Sequence, residues 1–411
     1  MNKQRQNVSD SEDLLAVNQR NTRSKTSTDG GEYSVTIPVD LLIDISLRLP
    51  GKSIARCRCV SKLWASTMRL PYFTELFLTR SLARPRLLFY CIRDGHMLFF
   101  SSPEPQNFDG KSSLVTADSH MKIPCAFLYE RLVSCISGLV FTTDERILNG
   151  KKHQVSVVCN PSTGQSMTLP KVKSRRKVGV RSYFGYDPID KQHKVLAMTC
   201  KVYGIQWKVS EEHQVLTLGT SEPSWKRIDC CVPHSPYPKY HHHKCINGVL
   251  YYPAVNTSTQ SFIIVCFDVK SEMFRFVEDR DDSVSHSTAG HTSLIGYNGK
   301  LGRLRFQGWD YMDNRSSIRL RVLEDAETHE WSDHEYALPA LWQKIVGVRD
   351  IIKCVRFLGV TRTNEIVMSS SGSSSVLYYN RETKTVRRAE MNGMEEAYTF
   401  LDCYVEDVKL M

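Results

Sequence analysis

The sequence predicts a mainly β protein in which a small helical segment precedes a β-propeller-like repeat domain. Two observations predict it. An amphipathic helical run, IPVDLLIDISLRLPGKSIARCRCVSKLW, extends from Ile37 to Trp64. From about Arg84 onward the chain reads instead as strands and turns that return with a period of about 50 residues. The 411 residues suffice for one large or two ordinary domains with sizeable cores.

Residues 1–32 are polar with few large apolar groups and read as a disordered tail. The opening MNKQRQNVSDSEDL lacks the apolar run of a signal peptide, and no stretch of about 18 apolar residues offers a membrane span. The 13 cysteines, an odd number without a repeating framework, point to reduced thiols in the nucleus or cytoplasm.

In the helical run, Pro38 suits a helix start, because its missing N–H costs nothing there. Leu41, Leu42, Ile45 and Leu49 then share one helical face, and Pro50-Gly51 stops the helix. Ser53 is a candidate cap for a second short helix carrying Ile54 and Cys57. Ser61 is the candidate cap for a third, carrying Leu63, Trp64 and Met68. Three helices in about 30 residues cannot build a self-sufficient core, so another chain or the following domain must complete their apolar faces.

These residues resemble the F-box, the adaptor-docking motif of cullin-type ubiquitin ligases. The matching features are Ile37-Pro38, Asp44-Ile45, Arg48-Leu49-Pro50, Lys52-Ser53-Ile54 and Arg58-Cys59-Val60-Ser61-Lys62-Leu63-Trp64, followed by Pro71-Tyr72-Phe73. The resemblance implies a three-helix F-box over 33–80. It also implies docking on a Skp-type adaptor, and through it a cullin scaffold, by Pro38, Leu41, Leu42, Ile45, Leu49, Ile54, Val60 and Trp64. Ser46 stands where the family usually has leucine, Gly51 where it has valine, and Ala55 where a larger apolar residue is common. Each departure removes apolar surface worth about 0.8 kcal/mol per CH₂, which predicts weaker adaptor binding.

Over 84–411 two phrases recur. The first has an Asn or Asp, a polar turn and a return to apolar residues, as in CNPSTGQSMTLP, YDPIDKQHKVL, FDVKSEMFRFV, LEDAETHEWS and YNRETKTVRRAE. The second is a turn glycine opening a strand, as in SGLVF at Ser137, NGVLYY at Asn247 and NGKLGRL at Asn298. Asp268, Asp325 and Asn380 are 57 and 55 residues apart, and Gly248 and Gly299 are 51 apart. Such spacing predicts about six propeller units. The phrases resemble the F-box-associated interaction domain of plant F-box proteins, which implies selection of a protein substrate whose identity the resemblance leaves open.

Other constellations carry less. Cys230, Cys231, His234, His241, His242, His243 and Cys245 are soft ligands, but adjacent residues lack the spaced pairs of a zinc site, and no metal is expected. His329-Glu330 with His334 has the wrong spacing for a metalloprotease helix. No phosphate loop or nucleophile elbow is present, so no catalytic residue and no cofactor are expected. The net charge is +10, and Lys171, Lys173, Arg175, Arg176 and Lys177 form the densest basic run; without interleaved aromatics it reads as a solvated loop, not a nucleic-acid site. Ser369–Ser375 reads as a hairpin connection between strands. The expected function is substrate recognition within a Skp–cullin–F-box ubiquitin ligase, without catalysis. The competing reading is a propeller enzyme or a glycan- or nucleic-acid-binding protein with an incidental helical N-terminus.

Overall fold

The computed structural model describes residues 37–104, 113–125, 133–148, 151–173, 179–203, 206–236, 243–279, 292–307, 316–339, 342, 355–361, 363–370, 375–392 and 399–411. The expected disordered tail, 1–32, lies outside them. The chain divides into two compact units, Met1–Leu42 and Ile43–Met411. The first ends within helix α1 (Val39–Ser46), and α2 (Gly51–Cys57), α3 (Lys62–Thr67) and α4 (Pro71–Leu82) follow.

The described residues from 39 to 82 thus form four helices where the sequence predicts three. Pro71 opens α4 at a position whose N–H would be unpaired anyway, and Phe73 and Phe77, one turn apart, are both buried. Ser61 caps α3 as expected, its Oγ accepting from the Trp64 N–H at 3.2 Å. Ser53 does not cap α2. It lies inside that helix, and the Pro50 carbonyl accepts from the Ser53 and Ile54 N–H groups instead.

The remaining strands form six sheets among the described residues, the blades of a propeller. Blade 1 runs, from the axis outward, β26 (Thr399–Tyr404), β1 (Arg86–Arg93), β2 (His96–Pro103) and β4 (Asp118–Pro124). Blade 2 is β5 (Val133–Ile136), β6 (Leu139–Leu148), β7 (Lys151–Asn160) and β8 (Gln165–Thr168). Blade 3 is β9 (Gly179–Asp187), β10 (Gln192–Tyr203), β11 (Gln206–Thr217) and β12 (Lys226–Ile228). In blade 4, β14 (Lys244–Ile246) and β13 (His234–Pro236) pair with opposite halves of β15 (Val249–Asn256), which is followed by β16 (Phe262–Asp268) and β17 (Phe274–Glu278). Blade 5 is β18 (Thr292–Tyr297), β19 (Lys300–Gln307), β20 (Ser317–Asp325) and β21 (Glu330–Ala337). Blade 6 is β22 (Val355–Val360), β23 (Ile366–Ser370), β24 (Ser375–Asn380) and β25 (Thr385–Asn392), with β3 (Ser113–Thr116) added in parallel at its outer edge.

The inner strands β26, β5, β9, β14, β18 and β22 touch in turn, and β22 returns to β26, so the ring closes. Closure removes the exposed strand edges that an open sheet would carry. The closing strand is the last one: β26 pairs antiparallel with β1, placing Tyr404 opposite Arg86.

Blades are buried on both faces, which explains strands that read as nearly continuous apolar runs. In β1, Leu88 packs toward blade 2 while Leu87, Phe89 and Cys91 pack toward blade 6. In β24, Val376 and Tyr378 face blade 1 while Leu377 and Tyr379 face blade 5. Ion pairs add ties between blades. Lys194 of blade 3 meets Glu272 of blade 4 at 2.8 Å, and Asp279 is fully buried against Arg303 and Arg321 of blade 5.

Both sequence phrases are turns on one rim, where first-to-second and third-to-fourth strands connect. Ser137-Gly138, Asn247-Gly248 and Asn298-Gly299 each have two positive φ values, the requirement of a two-residue type I′ hairpin. In the other phrase the Asx side chain accepts from backbone N–H groups two or three residues on. Asn160 accepts from Ser162 and Thr163, Asp325 from Glu327 and Thr328, and Asn380 from Glu382 and Thr383. The Ser369–Ser375 connection joins β23 to β24, which pair antiparallel; residues 371–374 lie outside the described residues.

Candidate functional site

Seven of the eleven exposed large hydrophobic side chains among the described residues lie between Ile37 and Leu82: Ile37, Leu41, Ile45, Val60, Leu63, Tyr72 and Leu82. A monomer has no reason to concentrate such groups on so short a stretch, which marks the stretch as a candidate for protein docking. Of the residues implicated by the sequence, Pro38, Leu41, Ile45 and Val60 are exposed. Leu49 and Trp64 are half-buried at the edge of a small core. Leu42 and Ile54 are buried, at 1% and 0% exposure, and so shape the helices from within. Sequence reasoning missed Leu63 and Tyr72, although both lie in the quoted motifs.

Two of the three departures from the family pattern turn inward. Ser46 is fully buried, and a Cβ added at Gly51 would meet Ser162 Cβ at 2.9 Å and Oγ at 3.2 Å. Gly51 therefore lets α2 approach the β7–β8 turn of blade 2. Neither residue thins an outer surface; Ala55 is half-buried.

What completes the helical core is the end of the same chain. Val408 is fully buried in a cluster with Ile54, Met68, Phe73 and Phe77. The terminal strap, residues 405–411, is held from both sides. On the helical side, Gly51 N–H donates to Glu406 Oε1 at 3.3 Å, and one Arg58 Nη2 donates to the carbonyls of Met68 and Val408 at 2.9 and 2.6 Å. On the propeller side, Asn160 Nδ2 donates to the carbonyls of Asp407 and Lys409 at 2.9 and 3.2 Å, and Met411 N–H donates to Gln165 Oε1 at 3.0 Å. Gly138 has φ +81° and a hypothetical Cβ only 2.6 Å from Asp407 Cβ, so this turn needs glycine for both conformation and space. Burial raises the carboxyl pKa of Glu406 and of Asp407. Direct ties between helices and propeller are peripheral: Lys52 Nζ donates to the Ser119 carbonyl at 2.7 Å, and Lys191 pairs with Glu75 at 2.5 Å between exposed side chains.

The other candidates resolve into structural roles. Cys230 and His234 do come together, joined by His213 of β11, with ligand atoms within 4.8 Å of one another. Both His234 ring nitrogens are nevertheless engaged, Nδ1 at 2.9 Å from the Val232 carbonyl and Nε2 at 2.9 Å from Tyr252 Oη. Three ligands are one short of a closed structural zinc site, though an open site fills the fourth position with water. His243 Nε2 accepts from the Phe184 N–H, Cys245 Sγ bonds the Tyr186 backbone, and Cys231 is exposed; His241 and His242 lie outside the described residues. His329 is in a turn and His334 is on β21, a strand and not a helix. Lys171 and Lys173 are exposed, while 175–177 lie outside the described residues.

Two Ser–His pairs occur among the described residues: Ser332 Oγ to His334 Nε2 at 3.4 Å, exposed, and the closer Ser101 Oγ to His120 Nε2 at 2.7 Å. Arg86 Nε donates to the same hydroxyl at 2.7 Å, Ser101 is fully buried, and burial lowers the His120 pKa to about 4. A weak base beside an inaccessible hydroxyl is poor equipment for nucleophilic chemistry. The eleven cysteines whose side chains are described are free thiols, and burial pushes those of Cys159 and Cys266 up to about 12. Among the described residues, no helix is long and apolar enough to cross a membrane.

Comparison with known proteins agrees with both halves of this arrangement. The F-box domain family matches residues 36–76, and the F-box associated beta propeller domain family matches 86–408. The F-box protein DOR of Arabidopsis thaliana is 49% identical over 388 residues, covering 91% of this chain and 94% of its own length. A second Arabidopsis thaliana F-box protein is 45% identical over 416 residues, 99% of this chain and 98% of its own. Among solved structures, Porphyromonas gingivalis dipeptidyl peptidase 4 is 9% identical with a TM-score of 0.35, covering 73% of this chain and 51% of its own, a likeness too remote to carry function.

Proposed function

We propose that this chain, which belongs to the plant F-box proteins with an F-box-associated β-propeller domain, bridges a protein substrate held by its propeller to a Skp-type adaptor held by its F-box. Through the adaptor it joins a cullin scaffold, in the nucleus or cytoplasm. The observation that carries the docking half is the concentration of exposed apolar side chains between Ile37 and Leu82. Pro38, Leu41, Ile45 and Val60 supply direct contact, Leu49 and Trp64 flank it, and Leu42 and Ile54 hold the helices in shape.

The chain contributes no nucleophile or base. It acts by raising the effective concentration of target lysines near a ubiquitin-charged enzyme, an entropic contribution that needs only a stable bridge. Substrate recognition falls to the rim opposite the strap. The strap rim is crowded by the F-box at blades 1 to 3, whereas the opposite rim carries turns such as Asp94-Gly95 and Asn256–Gln260.

The test is co-purification of the intact chain with a Skp-type adaptor, compared with Ile45→Glu. Ile45 is 47% exposed, so a charge there should leave the melting temperature within a degree or two. It should cut adaptor affinity by about tenfold or more, the cost of a buried unpaired charge at an interface. Leu42→Glu would be uninformative, since a charge at that buried position disrupts folding. Absence of adaptor binding by the intact chain would sink the reading.

A further inference from the structure

We propose that the terminal strap, residues 405–411, is a working part of the docking module, so that adaptor docking is licensed by closure of the whole propeller. The inference rests on the docking function above and adds a dependence that the F-box motif alone does not contain. Its starting point is topological. Arg86, where the chain leaves the helices, lies opposite Tyr404, where the last strand ends. The strap therefore emerges on the rim where the helices sit, and only after β26 has taken its place as the inner strand of blade 1.

The strap then performs two tasks at once. Val408 fills the helical core between Ile54, Met68, Phe73 and Phe77. Arg58 clamps the Val408 carbonyl to that of Met68, linking the strap to the turn after α3. Asn160 grips the carbonyls on either side of Val408, at Asp407 and Lys409, and so sets its depth from the propeller side. Helices of six to twelve residues without a complete core are marginal in isolation. An F-box lacking the strap therefore loses the packing that orders α2 to α4. Because the strap follows β26, which closes the ring, a truncated or unclosed propeller leaves the F-box unfinished. A receptor without its substrate domain would thus be kept off the ligase.

Full-length Val408→Asp and Asn160→Asp separate this from a general loss of stability. The first puts a charge into the helical core. The second keeps the Oδ1 acceptor that caps the β7–β8 turn, and replaces the donor to the strap by a carboxylate oxygen that repels the two strap carbonyls. Adaptor affinity is read by calorimetry, and amide exchange is followed in α2–α4 and in the propeller strands β10 and β16. Val408→Asp should lose at least tenfold in affinity and Asn160→Asp severalfold, with fast exchange confined to the helices. Val408→Ile should bind within twofold of the intact chain. Undiminished binding by Val408→Asp would overturn the proposal. So would loss of protection in β10 and β16 together with the helices, because the strap would then be holding the propeller itself. If the intact chain bound no adaptor, the docking function would fail, while the exchange pattern would still decide the role of the strap.

Discussion

Gly51 shows how a residue can change meaning once its neighbours are known. As a departure from a family pattern it looks like lost docking surface, but its missing side chain is the space in which α2 meets Ser162 and Glu406. Restoring valine there should not strengthen adaptor binding. Crowding at 2.9 Å from Ser162 Cβ should cost stability, about 1–3 kcal/mol as for other overpacked sites. A lower melting temperature for Gly51→Val, with adaptor affinity equal or reduced, is the expected outcome; tighter binding at unchanged stability would return Gly51 to the docking face. Ser46 is the second case, a fully buried residue whose hydroxyl has no partner among the described residues.

At the scale of elements, the repeated Asx phrase is a turn-building device. Asn380 Oδ1 accepts from the Glu382 and Thr383 N–H groups at 2.9 and 3.0 Å, and Lys384 then takes φ +54° to re-enter the sheet. The side chain thus substitutes for a backbone acceptor and sets the register of β24 against β25. Asn380→Ala should cost about 1 kcal/mol, a typical net value for hydrogen bonds near the surface. Asn380→Asp, which keeps the acceptor, should cost less than half of that. Urea midpoints of the two variants check this, and equal losses would assign the effect to the amide N–H₂ instead. The glycine turns act differently: Gly138 both supplies a positive φ and makes room for the strap.

For the whole molecule, closure brings together groups that are remote in sequence and burial then sets their charge states. Burial lowers the pKa of His193 to about 4 and of His213 to about 3, and lowers that of His234 as well. Folding therefore prefers these rings neutral, while the unfolded chain takes up protons below about pH 6.5. Stability is fully present above that pH and is lost as pH falls toward the folded values, by up to about 1.4 kcal/mol per pH unit for each fully buried ring. Glu406 and Asp407 act in the opposite sense: their raised pKa values make the folded state the better proton acceptor at the lower end of the range. The histidines outnumber them and titrate first. The melting temperature should be level from pH 8 to 7 and fall steadily from 6.5 to 5; a flat profile across that window would contradict neutral buried histidines.

What the sequence determined by itself is whatever local chemistry dictates. The Ser61 cap, the glycine hairpins, the Asx turns and the two-sided apolar strands are decided by residues within a few positions of each other, and their spacing was enough to count about six blades. The F-box was legible for the same reason, through the order of short motifs from Ile37 to Phe73. Only the tertiary structure decided which apolar residues face out. Leu41 and Leu42 are adjacent and equally apolar, yet one is 55% and the other 1% exposed. Nor does any local signal mark Val408 as a core residue of helices more than 300 positions earlier. That pairing depends on the ring closing at β26, which sets the two ends of the propeller side by side. Burial is a property of the closed chain, and periodicity can name an apolar face without naming what covers it.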